Sequence, residues 1–159
     1  MDDLELHPVT LDNWQATLGL TVRPDQLHFV ADYQPIAAIA LAKAYIRPGG
    51  KTWVPYAIAT GPTMIGFLAL AYTPASVDDY WVFHFFIDQH AQGRGYGTAA
   101  VQRLIELVRR EHPQCRTLHL TVHPENRPAQ RLYTRAGFRP TGAERWGELV
   151  YQLILRANQ

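Results

Sequence analysis

Gln92-Gly93-Arg94-Gly95-Tyr96-Gly97 stands between an aromatic run, Tyr80-Trp81-Val82-Phe83-His84-Phe85-Phe86-Ile87, and a stretch from Tyr96 to Glu111. In that stretch Ala100, Val101, Leu104, Ile105 and Val108 recur at helical spacing, with Gln102, Arg103, Glu106 and Arg110 on the opposite face. The aromatic run has no Lys, Arg, Asp or Glu and reads as a strand buried on both faces. A strand that turns through glycines into a helix leaves backbone N–H groups at the positive end of the helix dipole, where a pyrophosphate is stabilised. Two familiar phosphate motifs fail here. The dinucleotide pattern G-x-G-x-x-G needs glycine where Thr98 stands, and the P-loop's Gly-Lys-Ser/Thr is absent from this turn. What remains is Q-x-x-G-x-G, on Gln92, Gly95 and Gly97, a pattern that equally describes a glycine-rich helix entrance without a ligand.

Outward from this junction, Thr117 to Val122 reads as a strand and Pro128 to Ala136 as a short helix, with Gly137 as its left-handed cap. Phe138 to Thr141 and Glu148 to Leu155 close the chain as a β-arm around Trp146-Gly147. Upstream, Trp53 to Thr60 and Met64 to Tyr72 form a hairpin through Gly61-Pro62-Thr63, and Pro74 to Asp79 is a polar loop. Residues 4 to 7 form a first strand, and Thr10 caps a helix through Asn13, Trp14 and Leu18. Pro35 opens a second helix, which Pro48-Gly49-Gly50 stops. The resulting order is β, α, α, β, β, β, α, β, α, β, β.

The chain has 159 residues, 47% of them hydrophobic and 18% charged, as expected for one globular domain over 1–159. A net charge of +1 with scattered basic residues argues against a nucleic-acid surface. No apolar run is long enough to span a bilayer, so no membrane partner is expected. The acidic start lacks the features of a secretory signal, and Cys115 is a lone cysteine; both point to a cytoplasmic protein whose partner is a small molecule.

A second motif narrows the choice: Asn126-Arg127-Pro128-Ala129-Gln130-Arg131-Leu132-Tyr133-Thr134-Arg135-Ala136-Gly137-Phe138 follows the strand at Thr117. With Q-x-x-G-x-G it resembles the GNAT superfamily of N-acetyltransferases, whose second motif reads N-x-x-A-x-x-L-Y-x-x-x-G-F. The likeness runs over the whole chain. Within the superfamily, Phe85-Phe86-Ile87-Asp88, Gly93 to Gly97 and Glu125-Asn126 are most similar to the diamine, or spermine/spermidine, branch. The resemblance implies an α/β (α+β) fold with a mixed, mostly antiparallel central sheet, splayed between two parallel strands and flanked by helices. It implies acetyl-CoA as cosubstrate, with Gln92, Gly93, Arg94, Gly95, Tyr96, Gly97 and Thr98 around the pyrophosphate. Asn126 and Ala129 belong to the thioester end. Phe85, Phe86 and Ile87 lie on a bulged strand whose backbone pairs with the pantetheine arm and polarises the thioester carbonyl. A homodimer is common in the family. Arg94 is either a phosphate contact or a solvated arginine.

For chemistry, the resemblance makes Tyr133 the donor of a proton to the departing CoA sulfur; a core tyrosine bonded to a carbonyl is the plainer alternative. An amine resembling lysine has a pKa near 10.4 and must lose a proton before it attacks. In the polyamine branch an acidic residue often stands two places before the Phe-Phe pair, but Phe83 stands there, followed by His84. His84 is a candidate base, and equally a core histidine; Glu125 acting through water is the weaker candidate. His119, Thr121 and His123 share one side of a strand but lack a third ligand for a metal site. No serine, and not Cys115, sits in a nucleophile elbow, so transfer is direct. The expected acceptor is a primary amine, a polyamine or diamine first, with a peptide, amino-acid or aminoglycoside amine as the alternative. Asp32, Asp78, Asp79, Glu125 and Glu144 are its candidate carboxylates. A non-catalytic acetyl-CoA-binding protein is the reading from another class.

Overall fold

A computed structural model of the chain describes residues 3–156. Seven strands form one sheet: β1 Leu4–Pro8, β2 Thr52–Thr60, β3 Thr63–Tyr72, β4 Tyr80–Ile87, β5 Thr117–Val122, β6 Arg139–Arg145 and β7 Glu148–Ile154. Their spatial order is β1-β2-β3-β4-β5-β7-β6. Every pair is antiparallel except β4 with β5, which is parallel. The helices are α1 Trp14–Thr17, α2 Leu27–Val30, α3 Ile36–Ile46, α4 Tyr96–Glu111 and α5 Arg127–Arg135. No helix among the described residues is long and apolar enough to cross a membrane.

Two apolar clusters cover the two faces of the sheet. On one, Ala100, Val101, Leu104 and Val108 of α4 and Tyr133 of α5 pack with Ile58, Leu68, Leu70, Leu118 and Phe138. On the other, Ile36, Ala37 and Ala40 of α3 meet Trp53, Phe67, Ala69 and Phe86. The alternation of β3 residues between these clusters, Phe67 and Ala69 against Leu68 and Leu70, is the period-two signature of a strand covered on both sides.

Several elements differ from the sequence expectation. The first helix is a single turn, because Asn13 rather than Thr10 precedes it and the chain leaves the helix at Leu18-Gly19. A 3₁₀ turn at Pro24–Gln26 and the short α2 are additional; they are too brief to show periodicity. The strand β6 starts at Arg139 and reaches Arg145, since Phe138 is wholly buried under α5 and its N–H returns to the Tyr133 carbonyl at 3.0 Å. On β4, Tyr80, Trp81, Val82 and Phe86 are buried, but Phe83, His84, Phe85 and Ile87 are only half-buried, and the reason lies in the functional site.

Candidate active site

The parallel pairing of β4 and β5 holds for only three residues, Tyr80, Trp81 and Val82 against Leu118, His119 and Leu120. Beyond Val82 the strands part. Between Phe67/Ala69 on β3 and Phe86/Phe83 on β4 the register shifts, so His84 and Phe85 together oppose the single Leu68 in a bulge with one extra residue. His84 has φ +54°, in the left-handed region that a non-glycine residue enters only when its surroundings hold it there. Its Nδ1 lies 3.0 Å from the Val30 carbonyl and its Nε2 lies 3.2 Å from Lys43 Nζ. A carbonyl only accepts, so Nδ1 carries the proton and Nε2 accepts from the Lys43 ammonium. Burial, reinforced by the Lys43 charge and only partly offset by the Val30 bond, pushes His84 down to about 4. The bend thus comes from a bulge anchored across to α2 and α3, and it strips β4 of its β5 partner from Phe83 onward.

Into the gap opens a cleft of about 1220 Å³, larger than the ~300–1,000 Å³ of an ordinary small-molecule pocket. Its upper end is the start of α4. Gly95 precedes the helix with φ +83°, and no side chain caps its first-turn N–H groups. A Cβ on Gly97 would lie 2.8 Å from Leu132 Cδ1, so glycine lets α4 approach α5 at the cleft wall. Gln92, in contrast, is a brace. Its Nε2 donates to the Ile87 carbonyl at 3.0 Å and to Gln26 Oε1 at 3.0 Å, while its Oε1 accepts from Arg23 at 2.8 Å. This ties the glycine turn to the 3₁₀ turn at Pro24.

Of the residues expected to hold the cosubstrate, Phe85, Phe86, Ile87, Gln92, Gly93, Gly95, Tyr96, Gly97, Thr98, Asn126 and Ala129 all line this one cleft, as do Tyr133 and His84. Arg94 does not; it is exposed, away from the cleft wall. Asn126 caps α5, accepting from the Ala129 N–H at 3.3 Å. The face of α5 that holds Ala129, Leu132 and Tyr133 is the one turned to the cleft. The Tyr133 ring sits against Phe85 (6.3 Å) and Phe138 (5.8 Å), and its hydroxyl makes no hydrogen bond among the described residues. Burial, followed by the Glu148 carboxylate, raises the phenol well above its usual value, which keeps it protonated.

Sequence reasoning missed four residues of the lower cleft: Lys43, Trp53, Trp146 and Glu148. Glu148 accepts from Thr121 Oγ1 at 2.8 Å and is the carboxylate that acts on Tyr133. Trp53 stacks on Phe83 at 5.0 Å and 23°, and Trp146, at the exposed β6–β7 turn, tilts on Phe83 at 6.0 Å. One of the four had a sequence signal: Lys43 is the only charge in the apolar helix Ile36-Ala37-Ala38-Ile39-Ala40-Leu41-Ala42-Lys43-Ala44-Tyr45-Ile46. Of the expected carboxylates, Asp32 lines the cleft, while Asp78, Asp79, Glu125 and Glu144 do not. Asp79 instead bonds Lys51, Thr73 and Trp81; these hydrogen bonds outweigh burial, which pushes the other way, and hold it down at about 2.

The three residues considered for a metal, two on β5 and His123 just past its end, go separate ways. His119 stacks on Trp81 at 4.9 Å, Thr121 bonds Glu148, and His123 packs edge-on to His28 and tilted on Phe29. Among the described residues no group of three His, Cys, Asp or Glu is placed to hold a metal ion. Cys115 is buried, and burial pushes its thiol up to about 12.

A splayed parallel strand pair beneath a glycine-rich helix start is an architecture that comparison can test. The family model for the acetyltransferase (GNAT) family matches residues 11–138. The chain belongs to the acetyltransferase (GNAT) family. Its cosubstrate is therefore acetyl-CoA and its reaction N-acetyl transfer. Two similar relatives come from Bacillus subtilis. A probable spermine N(1)-acetyltransferase of subsp. natto is 29% identical over 144 residues, covering 87% of this chain and 90% of the relative. The spermine/spermidine N(1)-acetyltransferase of strain 168 is 28% identical with the same coverage. Among solved structures, spermidine N-acetyltransferase from Vibrio cholerae, in complex with CoA and spermine, superimposes with a TM-score of 0.77 over 98% of this chain and 97% of that one. At 14% identity that likeness bears on the fold. The GNAT acetyltransferase thus has the splayed sheet that the resemblance implied, with one parallel pair in seven strands.

Proposed function

We propose that this acetyltransferase hands the acetyl group directly to the primary amine of a small molecule in the cleft where β4 and β5 part. The observation that carries the reading is that separation itself: backbone groups of Phe83 to Ile87 have no β5 partner, and Tyr133 and the start of α4 face the same gap. Acetyl-CoA brings the activated thioester. The first-turn N–H groups of α4, with the glycine turn, would hold its diphosphate, and the unpaired β4 edge would hold its amide-bearing arm as an added strand. An edge N–H there is the donor suited to the acetyl oxygen. Tyr133, kept protonated by burial and Glu148, supplies a proton to the sulfur.

His84 does not supply the base in this reading. Its Nε2 lone pair is engaged by Lys43 and the ring is neutral well below pH 7, so it holds the bulge and positions Lys43. Glu148 replaces it: a carboxylate lining the cleft near Tyr133, oriented by Thr121, takes the amine's proton directly or through water.

The names of the relatives make a diamine or polyamine the first acceptor to test. Lys43 in the lower cleft favours a second reading, an amine without further positive charge. A cytoplasmic homodimer is the setting proposed for either. Release of free CoA thiol from acetyl-CoA, followed with a panel of amines that includes spermidine, tests the function. Tight CoA binding with no release for any amine would refute it in favour of a binding protein.

A further inference from the structure

We infer that the lower cleft receives a primary amine that also carries a carboxylate, an amino acid with an apolar body, and that the Lys43 ammonium is the receptor of that carboxylate. The inference rests on the N-acetyltransferase reading and concerns only its acceptor. Lys43 lines the cleft, and among the described residues no carboxylate lies within 4 Å of it. Its one polar partner is neutral, the His84 ring at 3.2 Å, which aims the ammonium without neutralising it. The neighbouring cation in the cleft, Lys51, is by contrast already paired with Asp79.

The aromatic faces tell the same story. A polyamine's second ammonium would be drawn to ring faces, but in the lower cleft the chain's own cations lie over those of Trp53, Phe83 and Trp146. Lys43 Nζ sits 4.8 Å over Trp53 and 5.7 Å over Phe83, and the Arg145 guanidinium sits 4.8 Å over Trp81 and 5.4 Å over Trp146. A second positive charge would meet repulsion there; a carboxylate would meet a donor whose charge is unspent. The two cleft carboxylates do not reverse this. Glu148 is bonded to Thr121 beside Tyr133, at the transfer end; burial lowers the Lys43 ammonium below its usual range, and exposed Asp32, beyond ion-pair distance, only partly opposes this, so Lys43 gains most from a carboxylate that enters the cleft. The stacked Trp53 and Phe83 rings, with Trp146 tilted on Phe83, leave an apolar wall for the body of the acceptor.

The test compares amines that differ only by the carboxylate, phenylalanine against phenethylamine and leucine against isoamylamine, with spermidine as a third class. The readout is the ratio of kcat/KM within each pair, in wild type, Lys43→Gln, Lys43→Arg and Lys43→Glu; comparing ratios between proteins cancels the different intrinsic basicities of the amines. Wild type is expected to use the amino acids. Lys43→Gln should lower the ratio about tenfold or more through KM, the scale of a lost hydrogen bond to a charged group. Lys43→Arg should retain it, and Lys43→Glu should turn preference towards spermidine. CoA affinity and melting temperature, measured on each protein, register any loss of the Lys43–His84 anchor separately from the ratio. A ratio unmoved in Lys43→Gln, or a wild type that prefers spermidine to every amino acid, overturns the inference and leaves N-acetyl transfer standing. No thiol release with any amine would overturn the transfer reading and the inference together.

Discussion

Replacing Tyr133 with phenylalanine separates a chemical role from a structural one, because the structure assigns opposite consequences to the two. The ring packs on Phe85 and Phe138, and phenylalanine keeps those contacts. The hydroxyl makes no hydrogen bond among the described residues, so its removal breaks none. Leaving a polar group without a partner costs about 1–3 kcal/mol where burial is complete, and Tyr133 is 8% exposed, so the variant should be as stable as wild type or up to about 1 kcal/mol more so. For a chain of this length that is a melting temperature unchanged or raised by about 2–4 °C. Turnover should fall by about 10²–10⁴-fold, the usual contribution of a positioned acid, with acetyl-CoA affinity by calorimetry within a factor of about two. Tyr133→Ala is the contrast: it empties the ring's volume and should cost about 3–5 kcal/mol. A Tyr133→Phe protein that keeps wild-type kcat, or melts well below wild type, would refute the reasoning and make Tyr133 a core residue only.

Other consequences are independent of Tyr133. Glu148→Gln should lower kcat/KM about a hundredfold near neutral pH and preserve CoA binding; an unchanged pH–rate profile would remove Glu148 from the proton path. A Cβ on Gly66 would stand 2.5 Å from the Phe86 carbonyl oxygen, a backbone atom of the bulged strand. Gly66→Ala should therefore cost about 1–3 kcal/mol and weaken CoA binding, as seen in melting and titration. His84 binds its proton less readily folded (about 4) than unfolded (6.5), so the unfolded chain takes up the proton first as pH falls. The stability this contributes is present above pH 6.5 and lost between 6.5 and about 4, by about 3 kcal/mol in all. His84→Asn, which tolerates the positive φ and can still donate to Val30, should flatten the melting curve over that window and leave the rate near pH 7–8 little changed.

The element order and the strand–turn–helix junction at Gln92 were legible because their signals are local. Period two in β3 and period 3.6 in α4 are written in neighbouring residues, and Gly95 and Gly97 announce a close approach whatever lies opposite. The same holds for the α5 motif, whose Ala129 and Tyr133 fall on one helical face by spacing alone. Local signals failed where an element is a single turn, as at α1 and α2, and where burial depends on a neighbour's departure, as at Phe83 to Phe85. The candidate base shows the limit most clearly. An aromatic strand containing a histidine suggests imidazole chemistry, yet His84 is committed by Val30 and Lys43, which come from 54 and 41 residues upstream. Glu148 meets Tyr133 because β7 inserts between β5 and β6, a choice of strand order that no stretch of residues encodes by itself. The sequence alone thus determined the proposed donor end of the site, since the glycine turn suited to a phosphate is built from contiguous backbone. The acceptor end, with Lys43, Trp53, Trp146 and Glu148 drawn from four separate segments, exists only once the sheet is assembled, because its charge and shape are properties of distant chains brought face to face.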